Sequence, residues 1–497
     1  MSQKNEKVET VEEDCIFDPT RWGLADKAVE DLSERLHGFW SRFRGCLTTK
    51  TWDNSEYGFV YLRGLLTMDT NRNYANIARR VIDPMDDGQN LQHFMSDSPW
   101  STMPVFEQIQ TEIQSRRELR GGVLTLDESG DKRCGPQSAG SCRQYIGRLG
   151  KIELGQVGVA LGYYRSSIWA MVDAELYLPE VWFEKAYDAL RKRWHIPKER
   201  TFATKTELGL EMIKRAQANG LPFEVVCCDS WYGRDRSFRA DLANLGLLYI
   251  ADVPADTQVY LSPPEVGVPK SPVGKRGRPF SKKQVLNSVR PVEVRALINQ
   301  LALKQVTVRS TERGWLIYCC TILTVWTLTE EGDVQTEKLF VWQKPDGNYS
   351  FSLSNVPDSI SLTQVAQWRS ERYFAERTFQ DAKTEAGWDE LVARKYRAFM
   401  HHTAIDALAL WFVAETKLDW SQQYPRDSQL THQLEVNQLP ALSMANVREM
   451  LKAVFPLRQL SVQQATQLVI KHLVSRSRST RCRLKAQRRG VQQGSSP

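Results

Sequence analysis

At 497 residues, 41% of them hydrophobic and 25% charged, the chain can form two to four domains and bury a sizeable core. Sixty-six Lys and Arg against 59 Asp and Glu leave a net charge of +7, a mildly basic balance that accommodates a nucleic-acid partner without requiring one. The nine cysteines are odd in number, form no CxxC pair, and include doublets Cys227-Cys228 and Cys319-Cys320 inside strand-like runs, which argues against a zinc module and for a reduced, intracellular chain.

The first fifteen residues, MSQKNEKVETVEEDC, are polar and acidic and lack the apolar centre of a signal peptide, so the stretch to about residue 20 is predicted to be a disordered or loosely docked lead-in. From about 25 to 118 the pattern is helical. Within it NYANIARRV, the turn-rich IDPMDDGQ and NLQHFMSDS have the form of a helix-turn-helix. In a DNA-reading unit the second helix would turn Asn90, Gln92 and His93 toward base edges; in a plain packing unit it would be one more helix.

At 121 the period changes to that of strands. GGVLTLDES, GQVGVALGYY and SSIWAMVDAELYL read as three strands, then PEVWFEKAYDALRKRW and TKTELGLEMIKRAQANG as helices, FEVVCCDS as a fourth strand, SFRADLANLG as a helix and LLYIADV as a fifth strand. Asp127 and Asp229 each close an apolar strand, where a carboxylate is costly unless paired or bound to metal. The neighbouring Glu128 would point to the opposite face.

Residues 255–360 begin with a Pro-rich basic linker, VYLSPPEVGVPKSPVGKRGRPFSKK, and continue as strands KQVTVRS, GWLIYCCTILTVWTL, KLFVWQK and YSFSLSN. Lys275-Arg276-Gly277-Arg278-Pro279 resembles the core of an AT-hook, which makes Arg276 and Arg278 candidates for minor-groove or phosphate contact.

The segment from Trp368 to Glu390 is predicted to be one amphipathic helix with Arg369, Arg372, Glu376, Phe379 and Lys383 stacked on one face. Alone, such a stripe is a solvated face held by pairs such as Arg372 with Glu376; beside two strand-end aspartates it suggests a metal site. RKYRAFMHHTAIDALALWFVAETKL is a further core helix, too short and too interrupted by Asp406 and Glu415 to span a bilayer, with His401 and His402 as packing or DNA-facing residues. Residues 418–497 read as a helical extension ending in SRSRSTRCRLKAQRRG, which carries seven Arg or Lys and no acid between Arg476 and Arg489 and suits phosphate contact.

The order Asp127, Asp229, then Arg372-x3-Glu376-x6-Lys383 resembles the DDE transposases of the IS4 superfamily, whose signature is Tyr-x2-Arg-x3-Glu-x6-Lys. DESGDKRCGPQSAGSCRQYIGRLGK, AELYLPEVW, VCCDSWYG and FQDAKTEAGWDE look like the IS701-type branch, although Arg369 stands where the signature has tyrosine. The resemblance implies an α/β protein with an RNase H-like core (121–254 and 361–417) interrupted by a β-rich insertion (255–360), an N-terminal helical DNA-binding domain (1–120) and a helical, basic C-terminus (418–497).

It further implies that Asp127 bridges two Mg²⁺ ions, replaceable by Mn²⁺, with Asp229 on one and Glu376 on the other. Arg372, Lys383 and Arg369 would lie along the DNA, as would Arg143, Tyr145, Arg148 and Lys151 of the Gly-rich stretch GSCRQYIGRLGK, which could equally be a structural hairpin. The implied activity is cut-and-paste transposition on double-stranded transposon ends and target DNA, by a homodimer on paired ends, in the cytoplasm and nucleoid of a prokaryote with no membrane association. Two readings remain beside it: an inactive or domesticated DNA-binding relative, and a nuclease without strand transfer. A glycosidase built on two carboxylates would need no metal and no basic tail.

Overall fold

A computed structural model describes residues 16–49, 53–269, 280–312, 314–344, 346–391 and 393–493, so residues 1–15 of the lead-in and the AT-hook-like run with Arg276 and Arg278 lie outside the described residues. The N-terminal part contains five main helices, α1 (Leu32–Phe43), α2 (Ser55–Thr67), α3 (Tyr74–Val81), α4 (Gln89–Ser96) and α5 (Met103–Ser115). In α1 the buried Leu32, Leu36, Phe39, Trp40 and Phe43 recur at helical spacing and form the inward stripe. The Asn73 side chain caps α3 by accepting from the Asn76 N–H. Gly88 opens α4 at φ +76°, where a Cβ would stand 2.6 Å from the Ala75 backbone, so this turn requires glycine. Leu91, Phe94 and Met95 are buried on α4, while Asn90, Gln92 and His93 are exposed.

The chain then builds β1 (Gly122–Lys132), β2 (Cys142–Ile146), β3 (Lys151–Arg165), β4 (Ile168–Leu176), α6 (Lys205–Ala218), β5 (Phe223–Cys228), α7 (Arg236–Asn244) and β6 (Leu248–Val253). After several two-residue strands come β7 (Lys304–Thr311), β8 (Gly314–Leu328), β9 (Val334–Gln343) and β10 (Tyr349–Ser354). These ten strands form one mixed sheet in the order β7-β8-β9-β10-β6-β5-β1-β3-β2, with β4 also paired to β3. β1 lies parallel to β5 and β5 parallel to β6; β3 runs antiparallel to β1. The arrangement is consistent with the RNase H-like core that the resemblance implies.

Three details differ from the sequence reading. β1 does not stop at Asp127 but runs on to Lys132, because β3 continues to pair with it after β5 has ended. The Gly-rich stretch contains a strand, β2, antiparallel to β3: alternate residues Arg143 and Tyr145 point outward, a period of two within a short segment. PEVWFEKAYDALRKRW is mostly two 3-10 turns followed by the short helix Asp188–Arg193, organised around the buried Trp182, whose indole N–H donates to the Ser141 carbonyl at 3.2 Å. The strands of the 255–360 segment extend the core sheet, β10 pairing antiparallel with β6. A buried ion pair reinforces the join, the Arg239 Nε of α7 lying 2.9 Å from Glu337 of β9.

Beyond the sheet come α8 (Leu362–Glu371), α9 (Tyr373–Asp381), α10 (Tyr396–Gln423), α11 (Met444–Val454) and α12 (Val462–Gln493). The single helix predicted for Trp368–Glu390 is thus broken at Arg372, passes into a π-helical turn at Ala382–Ala386 and ends at Gly387, φ +84°. The break lies between two anchors: Arg369 and Arg372 reach Asp252 of β6, and Phe374 stacks on Tyr164 of β3 with ring centroids 3.8 Å apart. The basic tail continues α12 and is exposed as far as its side chains are described.

The sheet has an apolar core on each face. Leu124, Leu126, Val226, Cys228 and Tyr249 pack toward the N-terminal helices and α10, whereas Val123, Val225, Cys227 and Ile250 pack toward α8 and the strands of the 255–360 segment. The Cys227-Cys228 doublet therefore divides between the two faces, and the described cysteines are free thiols. His401 and His402 are core residues of α10: His401 lies between the Met95 and Trp100 carbonyls at 3.0 and 2.9 Å, and His402 Nδ1 is 2.9 Å from the Tyr61 hydroxyl. Among the described residues no helix is long and apolar enough to cross a membrane.

Lys417, also on α10, is only 9% exposed and holds its ammonium 4.3 Å from the Trp169 ring centroid. Burial pushes its pKa from 10.5 down to about 8. The native chain therefore binds this proton less tightly than the unfolded chain, so the penalty is complete below about pH 8 and fades as pH rises toward 10.5. Lys417→Met is expected to stabilise the fold at pH 7 by about 1 to 3 kcal/mol, burial of the charge outweighing the lost cation–π contact. Thermal melts at neutral pH and near pH 10 check this, since the gain should shrink at the higher pH.

Candidate active site

The register of three neighbouring strands places an acid row. Leu126 of β1 pairs with Cys228 of β5, and Cys228 pairs with Ala251 of β6. One residue further along each strand stand Asp127, Asp229 and Asp252. Alternation sends all three to the face carrying Val123, Val225 and Ile250, where α8 packs. Glu128 points the other way and is held by the Lys205 ammonium of α6 at 2.7 Å.

Asp127 Oδ1 accepts from the Glu128 N–H at 2.7 Å; Asp229 caps the short helix Ser230–Gly233, accepting from the Trp231 and Tyr232 N–H groups at 3.0 and 3.3 Å. Burial, and then the neighbouring Asp229 charge, pushes the Asp127 carboxyl up to about 7. Burial likewise raises Asp229, against the two backbone hydrogen bonds and Arg372 that lower it. Two crowded, half-desolvated carboxylates need a compensating cation, and Arg372 supplies part of one.

Both aspartates open onto a cleft of about 670 Å³. Glu376 of α9 also lines it, with its side chain 60% exposed and 3.3 Å from Arg372. Other acids of this helical segment have different surroundings: Glu371 lines a separate cleft, Asp381 pairs with Arg377 at 3.5 Å, and Glu385 with Arg448 at 2.6 Å. Among the described residues no three His, Cys, Asp or Glu side chains already converge as a ligand set for a metal ion. The aspartate pair fits a hard divalent cation by donor type and uncompensated charge; Glu376 would complete the set only by turning from Arg372.

The basic residues separate into groups. Arg372 lies at the cleft, 3.2 Å from Asp252. Arg369 also lines the cleft, at 6% exposure; it reaches Asp252 at 2.7 Å and lies over the Trp342 ring at 5.1 Å. Lys383 faces Asp131 at 3.0 Å. Asp131 is four residues past Asp127 on β1, a distance of about 13 Å along the strand, so Lys383 lines another stretch of surface than Arg372. Arg143, Tyr145, Arg148 and Lys151 are exposed on the β2–β3 hairpin, Tyr145 at 56%, and Arg148 approaches Asp131 and Asp389 at 3.5 and 3.6 Å.

Asp252 was missed in the sequence although LLYIADV carried the same signal as the other two strands, an acid near the end of an apolar run. It accepts from the Ser352 hydroxyl at 2.6 Å and receives both arginines, which makes it the anchor of the α8–α9 break. Arg309, Tyr318, Trp342 and Lys344 also line the cleft, so the strands of the 255–360 segment form one of its walls.

Comparison with known proteins bears on the family of this chain. A family profile described as DDE superfamily endonuclease matches residues 42–314, a span that includes Asp127 and Asp229 and stops before Glu376. The protein named "Probable transposase for insertion sequence element IS701" from Microchaete diplosiphon is 25% identical over 350 residues, covering 68% of this chain and 77% of that protein. With more than half of its length matched by the profile, the chain belongs to the DDE superfamily of endonucleases.

Proposed function

We propose that this protein excises a mobile DNA element and joins it to a target, with Asp127, Asp229 and Glu376 holding two divalent cations, Mg²⁺ or Mn²⁺. The observation that carries the reading is the register that sets Asp127 and Asp229 side by side at the floor of a cleft. Such cations supply the neutralisation of charge on the attacking and leaving oxygens of a phosphodiester. The chain's own contribution is orientation. Asp229 is fixed by two backbone N–H groups, and Arg372 is the cation available to a phosphate once Glu376 leaves it.

The duplex would run over the exposed β2–β3 hairpin with Arg143, Tyr145, Arg148 and Lys151, with Lys383 alongside. Asn90, Gln92 and His93 of α4, the linker arginines Arg276 and Arg278, and the basic part of α12 are candidate further contacts, and a homodimer on paired ends is the expected working form. A plasmid carrying the gene with its native flanks tests the reading. Wild type should excise the element with Mg²⁺ or Mn²⁺ and not with EDTA, and Glu376→Ala should reduce excision by about a hundredfold or more. Products joined to target DNA distinguish a transposase from a nuclease that only hydrolyses. The turn of Glu376 onto Arg372 favours one rival, a relative that binds DNA without cutting it. DNA binding without metal-dependent cleavage would establish that rival.

A further inference from the structure

A second cleft, of about 590 Å³, adjoins the first through the segment that follows Asp229: Ser230 lines the carboxylate cleft, and Trp231, Arg234 and Arg236 line this one. Trp231 is 51% exposed, a costly position for so large an apolar ring. On one side of it lies the Lys205 ammonium, 5.5 Å from the Trp231 ring centroid and 5.3 Å from that of Tyr177, anchored by Glu128. Arg234 and Arg236 are exposed, and among the described residues neither forms an ion pair. Of the two acids lining the cleft, Asp235 is spent as the cap of α7, accepting from the Phe238 N–H at 3.1 Å; Glu330 is exposed at the rim.

We infer that this second cleft binds single-stranded DNA, holding an unpaired stretch next to the strand in the carboxylate cleft, with an unpaired base on Trp231 and its phosphates on Arg234 and Arg236. An aromatic platform with flanking cations suits a strand whose bases are free to stack, because in a duplex the base faces are already covered. Ser230 and Trp231 are neighbours in the chain, so the two clefts flank the same short helix at the edge of the sheet, one toward each face. The inference rests on the reading that DNA occupies the carboxylate cleft, but its test does not require cleavage.

The test is fluorescence anisotropy of the full chain in EDTA, with a fluorescein-labelled oligo(dT) of about 20 nucleotides and with the same strand annealed to oligo(dA). Trp231→Leu is expected to weaken binding of the single strand by about tenfold, while duplex binding changes by less than about threefold. Replacing Arg234 and Arg236 together by Gln should weaken the single strand similarly and lower the salt slope by about 1.4, the value for two lost phosphate contacts. Glu330→Lys should tighten single-strand binding, a gain that misfolding cannot produce. Wild-type affinity for oligo(dT) in the Trp231 and arginine variants, or equal losses on duplex and single strand, would overturn the inference. If wild type never cleaves DNA but these oligo(dT) effects are found, the proposed catalysis fails while the second cleft stands.

Discussion

Asp127→Asn and Asp229→Asn are each expected to lower excision by about a thousandfold or more while leaving duplex binding within a few-fold of wild type, because each removes a charge from the acid pair and keeps its shape. The same substitutions should move stability in the opposite direction. Asp127 titrates at about 7 in the fold against 3.8 as a free carboxyl, a raised value, so the native chain binds this proton more tightly than the unfolded one. The resulting penalty is absent below about pH 3.8 and complete above about pH 7.

At pH 8 without divalent cations, Asp127→Asn should therefore melt at a higher temperature than wild type. Adding about 5 mM Mn²⁺ should raise the wild-type melting temperature and leave the variant nearly unmoved, since a cation that binds only the native state stabilises in proportion to its affinity. Thermal melts with and without the metal read this directly, and wild-type cleavage by either variant would remove that residue from the site.

The largest expected loss of stability lies away from the site, at Glu337. This carboxylate is 1% exposed and accepts from Arg239 at 2.9 and 3.4 Å, from the Tyr249 hydroxyl at 2.6 Å and from the Thr327 hydroxyl. Arg239 is itself 2% exposed and also donates to the Gly233 carbonyl, at the end of the short helix that Asp229 caps. Glu337→Leu leaves a buried guanidinium without a counter-charge and is expected to cost about 3 to 5 kcal/mol.

Adding Arg239→Met to Glu337→Leu should recover much of that loss, limited by the Tyr249 and Thr327 hydroxyls that would still lack their acceptor. Urea unfolding of wild type, the single variant and the double variant decides this; a single variant within about 1 kcal/mol of wild type would show that the pair does not hold the sheet together. Because α7, β6, β8 and β9 all meet at this carboxylate, it fastens the strands of the 255–360 segment to the strands that carry the acids.

Features written within a few residues of one another were legible in the chain before it folds. Apolar runs placed β1, β3, β4, β5 and β6 and set Asp127 and Asp229 at strand ends; helical periodicity placed α3, α4 and α6; Gly220 at φ +72° follows the end of α6 as expected. Strand parity also sends Asp127 and Glu128 to opposite faces, and Glu128 pairs with Lys205 there.

Pairings across long separations in the chain arise only once the fold has formed. Asp252 meets Arg369 across 117 residues and Asp131 meets Lys383 across 252, and no local pattern says which charged side chains will be neighbours once the sheet has formed. The second contact sets Lys383 apart from Arg369 and Arg372, with which helical periodicity had aligned it, while those two share Asp252. The helix bearing Glu376 accordingly breaks at Arg372, and β10 joins β6 so that the 255–360 segment walls the cleft. Helical and strand periods are properties of the backbone and its nearest neighbours, whereas burial of charge is settled by whatever partner the whole fold brings within reach.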